Sequence, residues 1–148
     1  MRLWRLTRFP PLDGAGGVYA AGRWHWRGLP ILYTATEPTG ALAEVLVHLE
    51  VGPDLVPDDY RLIGIEVSET LIHAAFVPSL PANWRTDLAA TRTVGSTWLR
   101  GGQSLLCRVP SAIIQATSNF LLNPLHEDFR QIAAVFDEPF TFDPRLFS

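Results

Sequence analysis

Proline and glycine interrupt this chain so often that no apolar run in it is long, and the spacing of the breaks predicts short strands with few helices. Twelve prolines and eleven glycines fall among 148 residues. Leu3-Trp4-Arg5-Leu6-Thr7 alternates as a half-buried strand does, with Arg5 and Thr7 opposite Trp4 and Leu6, and Pro10-Pro11 stops it. Residues 12–28 hold five glycines and two tryptophans. They read as an irregular loop, either one that lets backbone approach a ligand or an ordinary surface loop pinned by a buried tryptophan. The glycine spacing is neither a P-loop nor a dinucleotide fingerprint. Residues 31–35 (ILYTA) have the β-branched and aromatic character of a strand. Thr36-Glu37-Pro38 then starts a helix, proline being tolerated in the first turn. Leu42, Val45, Leu46 and Leu49 recur at helical spacing up to an end near Glu50.

Beyond Gly52-Pro53 and Asp58-Asp59, residues 61–67 (RLIGIEV) alternate as a strand. Pro78, Pro81 and Asn83 mark a loop. A helix over about residues 87–99 follows, with an imperfect stripe of Leu88, Val94, Trp98 and Leu99, an awkward Gly95 inside it and a stop at Gly101-Gly102. Residues 104–109 form a buried strand ended by Pro110. The last third is strand-like at 120–122, 132–136 and 140–142, between Asn-Pro, Glu-Pro and Asp-Pro breaks. Strands interleaved with about two helices, without regular βαβ alternation, predict an α+β single domain spanning residues 1–148.

Bulk properties narrow the function classes. A chain of this length buries about 70% of its unfolded surface, and 47% hydrophobic residues with five Trp and eight Phe suit a full core. A net charge of −3 and a pI near 5.7 offer no basic footprint, so direct nucleic-acid binding is not expected. All twelve basic residues are Arg, so the choice of Arg over Lys at one position says nothing about that position. Cys107, alone in Leu105-Leu106-Cys107, allows no internal disulfide and reads as a small buried hydrophobe. His25, His48, His73 and His126 are dispersed, so no metal is predicted. The amino-terminal MRLWRLTRFP lacks the apolar core of a signal peptide and no segment is apolar enough to span a membrane, which makes the cytoplasm the expected compartment.

Chemistry concentrates in residues 22–44, where Arg23, Tyr33 and Glu44 lie on a loop, a strand and a helix and together could hold a phosphorylated nucleotide. Glu44 is about 200° around the helix from Leu42, either solvated or aimed into a cleft. Each has a bland reading: a core tyrosine, a solvated glutamate, an arginine stacked on tryptophan. Ser111 sits just past a strand terminus, where ligand-binding groups are commonly placed.

GRW, the ILYTA strand and the ALAE helix, followed by RVPS and NFLLNPLH, resemble the RES-domain family of bacterial toxins, and the resemblance runs from LWRL to FDPRLF. It implies an ADP-ribosyltransferase-like fold with a curved split β-sheet and a few helices. It further implies an activity that degrades NAD, with NAD as substrate and no prosthetic group, and a cognate Xre-type antitoxin. The arginine, glutamate and serine of the family name fall on Arg23, Glu44 and Ser111. On this resemblance Glu44 stabilises an oxocarbenium-like ribose, and Arg23, with Arg5 as a second contact, grips the pyrophosphate. Tyr33 offers a face and a hydroxyl, Ser111 positions the ribose or orients Glu44, and Asn119 is a further contact. HEDF departs from the expected proline after His126. Three functions remain open: NAD hydrolysis or phosphorolysis, mono-ADP-ribosylation of a protein, and a non-catalytic interaction module. An antitoxin would cover or plug the cleft, using an apolar surface that includes the tryptophans or the Phe-rich carboxy-terminal end, and a homodimer within the toxin–antitoxin complex is compatible with this.

Overall fold

The computed structural model describes residues 1–49 and 51–147 and contains the strands β1 (Arg2–Thr7), β2 (Leu32–Ala35), β3 (Arg61–Glu66), β4 (Leu106–Pro110), β5 (Ser118–Leu122) and β6 (Ala133–Pro139). They make one antiparallel sheet in the order β4-β5-β2-β1-β3-β6. β1 pairs with β3 along its whole length, from Arg2 opposite Glu66 to Thr7 opposite Arg61. β2 pairs with β5 from Leu32 opposite Leu122 to Ala35 opposite Asn119. Between β1 and β2, only Trp4 and Ala35 stand in register among the described residues. The ladder stops beyond that pair, so the sheet is split into two halves hinged at Trp4 and Ala35.

Side chains alternate across strands, and both faces of this sheet are covered. Leu3, Leu32, Ile63, Ile65, Leu106, Phe120 and Leu122 form a core on one face, with Leu71 and Ile72 of α3 (Glu69–His73) packed against it. On the other face Cys107, Val109 and Leu121 pack with Trp24, Trp84 and Trp98, the last from α4 (Leu88–Gly101). Farther along that face Leu6 and Ala35 pack with Ala41 of α2 (Pro38–Leu46) and with Phe142.

The helix signals act locally as their chemistry requires. Asp87 caps α4 by accepting from the Ala90 N–H at 3.0 Å, and Gly102, at φ 63°, closes it in the left-handed conformation that glycine adopts freely. Pro38 occupies the first turn of α2. That helix ends at Leu46 rather than near Glu50, a residue outside those described. The 12–28 loop contains a one-turn helix, α1 (Gly16–Tyr19). Residues 140–142 are not a strand: after Pro139 the chain turns inward, and Phe142 sits edge-on to Tyr60 at 5.1 Å and to Phe140 at 5.0 Å. Burying that ring decides the backbone path over local β propensity.

Candidate active site

A cleft of about 750 Å³ opens where β1 and β2 part. Arg5 and Thr7 line it from β1, Tyr33 and Asn119 from β2 and β5, Glu44 from α2, and Arg23 from the glycine-rich loop. Arg23, Tyr33 and Glu44 therefore share one hollow, with Arg5 and Asn119 in its wall.

The loop bearing Arg23 is held by α4 through its backbone. The Thr91 hydroxyl donates to the Arg23 carbonyl at 2.6 Å, Arg92 Nε donates to the Gly22 carbonyl at 2.8 Å, and Ser96 Oγ accepts the Trp26 N–H at 2.8 Å. Gly95 explains itself here. A Cβ on it would overlap the Trp24 carbonyl oxygen, so the residue that weakens the helix pattern is the one that lets the loop lie against the helix. Trp24, packed on Trp84 at 5.7 Å between ring centres, anchors the loop from its other side.

Glu44 owes its position to α2 lying across the sheet. Ala41 belongs to the cluster containing Phe142, and Leu42, Val45, Leu46 and Leu49 pack against it, while Glu44, one turn on from Ala41, lines the cleft together with Ala41, Val45 and Leu49. Asn119 Nδ2 donates to Glu44 Oε1 at 2.9 Å, and Ser111 Oγ lies 3.1 Å from the same oxygen. Ser111 Oγ also accepts from the Ile113 and Ile114 N–H groups at 3.1 and 3.3 Å, so its one hydrogen belongs to Glu44. Two donors thus fix Oε1, and Oε2 makes no hydrogen bond among the described residues.

Tyr33 is held by the loop. Its hydroxyl oxygen accepts the Trp24 N–H at 3.1 Å and lies 2.7 Å from Nδ1 of His25. Burial pushes the phenol well above its ordinary value and pushes His25 below its own. His25, only 2% exposed, was among the dispersed histidines that the sequence gives no reason to single out. Its one local signal is adjacency to the Gly22-Arg23-Trp24 run.

The two arginines differ. Arg23 Nη1 donates to the Arg85 carbonyl at 3.3 Å at the cleft wall. Among the described residues Arg5 Nε is enclosed with no hydrogen-bond partner, and Nη2 reaches Thr7 Oγ1 at 3.5 Å. Desolvation lowers the Arg5 pKa, against an opposing pull from Asp13. A half-buried guanidinium with an unpartnered donor in the wall of a cleft suits an anionic ligand. Among the described residues Arg23 makes no ring contact, and the arginines over tryptophan are Arg2 on Trp4 and Arg92 on Trp26.

Other expectations fall elsewhere. His126 lies outside the cleft and caps the 3-10 turn Glu127–Gln131, its Nδ1 accepting the Asp128 N–H at 3.0 Å. Cys107 is fully buried, its thiol pushed up to about 12 by desolvation. Trp24, Trp84, Trp98 and Phe142 are buried in the core, whereas Trp26 is exposed and Trp4, Phe140 and Phe147 are half-buried. The exposed apolar residues at the mouth of the cleft are Phe9, Val47, Leu88 and Ile113. No helix among the described residues is long and apolar enough to cross a membrane.

A protein of Pseudomonas putida named Toxin Res is 44% identical over 99% of this chain and 100% of its own length. A Sphingobium protein named Prs ADP-ribosylating toxin is 34% identical over 91% of this chain and 86% of its own. Among solved structures, a chain of the M. tuberculosis MbcT–MbcA toxin–antitoxin complex superposes with a TM-score of 0.72 at 20% identity, covering 99% of this chain and 86% of that one. The α+β fold expected from the sequence, one six-stranded antiparallel sheet with a few helices, is thus shared with that chain. With the RES domain matching residues 2–143, the chain belongs to the RES domain family.

Proposed function

We propose that the chain is the toxin of a toxin–antitoxin system, active in the cytoplasm, and that its cleft binds NAD and breaks the bond between nicotinamide and ribose. The observation that carries this reading is the Glu44 carboxylate, one oxygen fixed by Ser111 and Asn119 and the other without a hydrogen bond among the described residues, in the wall of a cleft that Arg5 and Arg23 also line. Nicotinamide leaves as a neutral molecule from a positively charged ring, so the reaction needs little acid catalysis; the barrier lies in an oxocarbenium-like ribose. A preorganised carboxylate stabilises that developing charge without reorganising at the moment of reaction. Arg5 and Arg23 bind the pyrophosphate through charge-assisted bonds, so the ribose is held against Glu44. Water or phosphate then takes the ribose carbon, giving ADP-ribose or its phosphorylated form.

Incubation of the purified protein with NAD tests this, with nicotinamide release as the expected result. Glu44→Gln should lower turnover about 100- to 1,000-fold while the melting temperature stays within about 4 °C. Intact NAD after incubation with the parental protein would overturn the reading. Transfer of ADP-ribose to a protein is the second reading, favoured by the name of the Sphingobium relative; labelled NAD marking a protein would select it.

The partner is an antitoxin, a reading supported by the toxin–antitoxin complex among the structural neighbours, and its Xre type is what the sequence resemblance implies. The exposed Phe9, Val47, Leu88 and Ile113 around the mouth offer it an apolar seat.

A further inference from the structure

His25 has no part in the reaction as described, yet it is nearly inaccessible and in hydrogen-bond reach of a side chain that lines the cleft. Its tautomer follows from its neighbours. Nε2 lies 3.0 Å from the Ala20 carbonyl and 3.2 Å from the Gly17 carbonyl, two groups that only accept, so Nε2 carries the ring hydrogen. Nδ1 then has one lone pair, and the Gly22 N–H, 3.2 Å from it, is shared with the His25 carbonyl oxygen at the same distance. The Tyr33 hydroxyl, 2.7 Å away, must donate to Nδ1, because a neutral ring has no second hydrogen to give. The same oxygen accepts the Trp24 N–H at 3.1 Å.

We propose that His25 is a positioning residue for Tyr33: its Nδ1 takes the only hydroxyl hydrogen of Tyr33, so that Tyr33 meets the ligand as a hydrogen-bond acceptor. The group it receives is an N–H or O–H donor at the nicotinamide–ribose end of the substrate, and this deepens the NAD reading and rests on it. Tyr33 gives no proton in the reaction. Packing enforces the arrangement: a Cβ on Gly22 would overlap Tyr33 Oη and lie 3.1 Å from His25 Cε1, so glycine at 22 is what allows the two rings to meet. The charged groups acting on the pair among the described residues are cations, Arg92 of α4 on both rings and Arg23 on Tyr33. They oppose a charged imidazole, which would donate from Nδ1 and release the Tyr33 hydrogen toward the cleft.

A double-mutant cycle on NAD cleavage, with an imidazole 15N spectrum, tests this. Tyr33→Phe and His25→Leu should each lower kcat about tenfold, and the double variant should be no slower than the slower single one. His25→Asn, whose amide oxygen can take the place of Nδ1, should restore most of the loss. Equal slowing by His25→Leu in the parental and Tyr33→Phe backgrounds would overturn the proposal, since His25 would then act without Tyr33. The 15N spectrum reads the tautomer with no substrate present. A hydrogen found on Nδ1 sinks the proposal even if NAD is cleaved, whereas intact NAD with the hydrogen on Nε2 sinks the NAD reading and the ligand named for Tyr33 but leaves the hydrogen bond from Tyr33 to His25 standing.

Discussion

Asn119 and Glu44 lie 75 residues apart in the chain and meet with Nδ2 2.9 Å from Oε1. With Ser111, 67 residues from Glu44, on the same oxygen, the pair turns a surface-helix carboxylate into an oriented one. Both donors are neutral, so they direct the negative charge without cancelling it.

Asn119→Asp therefore changes the chemistry and barely the shape. A second carboxylate beside Glu44 makes the two compete for one proton and raises the apparent pKa of the pair. NAD cleavage near neutral pH should fall at least tenfold and recover as pH rises. A pH profile that superposes on the parental one would contradict this role of Asn119.

Arg5→Met should separate binding from stability. It removes a guanidinium whose enclosed Nε has no partner among the described residues, so the melting temperature should hold or rise. The KM for NAD should climb about 10- to 100-fold, the worth of a charge-assisted bond. An unchanged KM would mean that Arg5 does not meet the ligand.

Gly95→Ala reverses the usual rule for helices. Alanine is favoured by about 1 kcal/mol inside a helix, but here the new Cβ meets the Trp24 carbonyl and must push the loop off α4. A net loss of about 1–3 kcal/mol is expected, seen as an earlier chemical-denaturation midpoint, together with lower activity as Arg23 shifts. A stabilised variant would refute the close packing.

Stability should depend on His25 below its ordinary pKa of 6.5. Burial lowers the folded value, so as pH falls the unfolded chain takes the proton first. The contribution is complete above the ordinary value and is lost as pH falls through the folded one. Thermal melts from about pH 7.5 to pH 5 should drop less steeply for His25→Asn than for the parental protein. Parallel curves would show that His25 does not titrate in this way.

Cys107 should be inert. A thiol pushed up to about 12 is almost wholly protonated at neutral pH, and the residue is fully buried. Iodoacetamide should leave the folded protein unlabelled and its turnover intact.

Much of the fold was legible because its signals are local. Alternation in residues 3–7 and 61–67, Pro38 at a helix start, Asp87 as a cap and Gly101-Gly102 as a stop each depend on a few neighbouring residues. Residues 140–142 were misplaced because Phe142 answers to Tyr60, a ring 82 residues away, and not to its neighbours. Gly95 looked like a defect because its reason, the Trp24 backbone, belongs to another element.

What the chain determined by itself is the order of strands and helices, the apolar faces they bury and the loop, strand and helix that carry Arg23, Tyr33 and Glu44, since backbone preference and periodicity act within a few residues. Only the tertiary structure decided that the sheet parts beyond Trp4 and Ala35, that Glu44 turns inward to Ser111 and Asn119, and that His25 holds the Tyr33 hydroxyl. The site is made of hydrogen bonds, whose worth depends on distance and direction between groups that meet only when two sheet halves, a helix and a loop have closed around the same cleft.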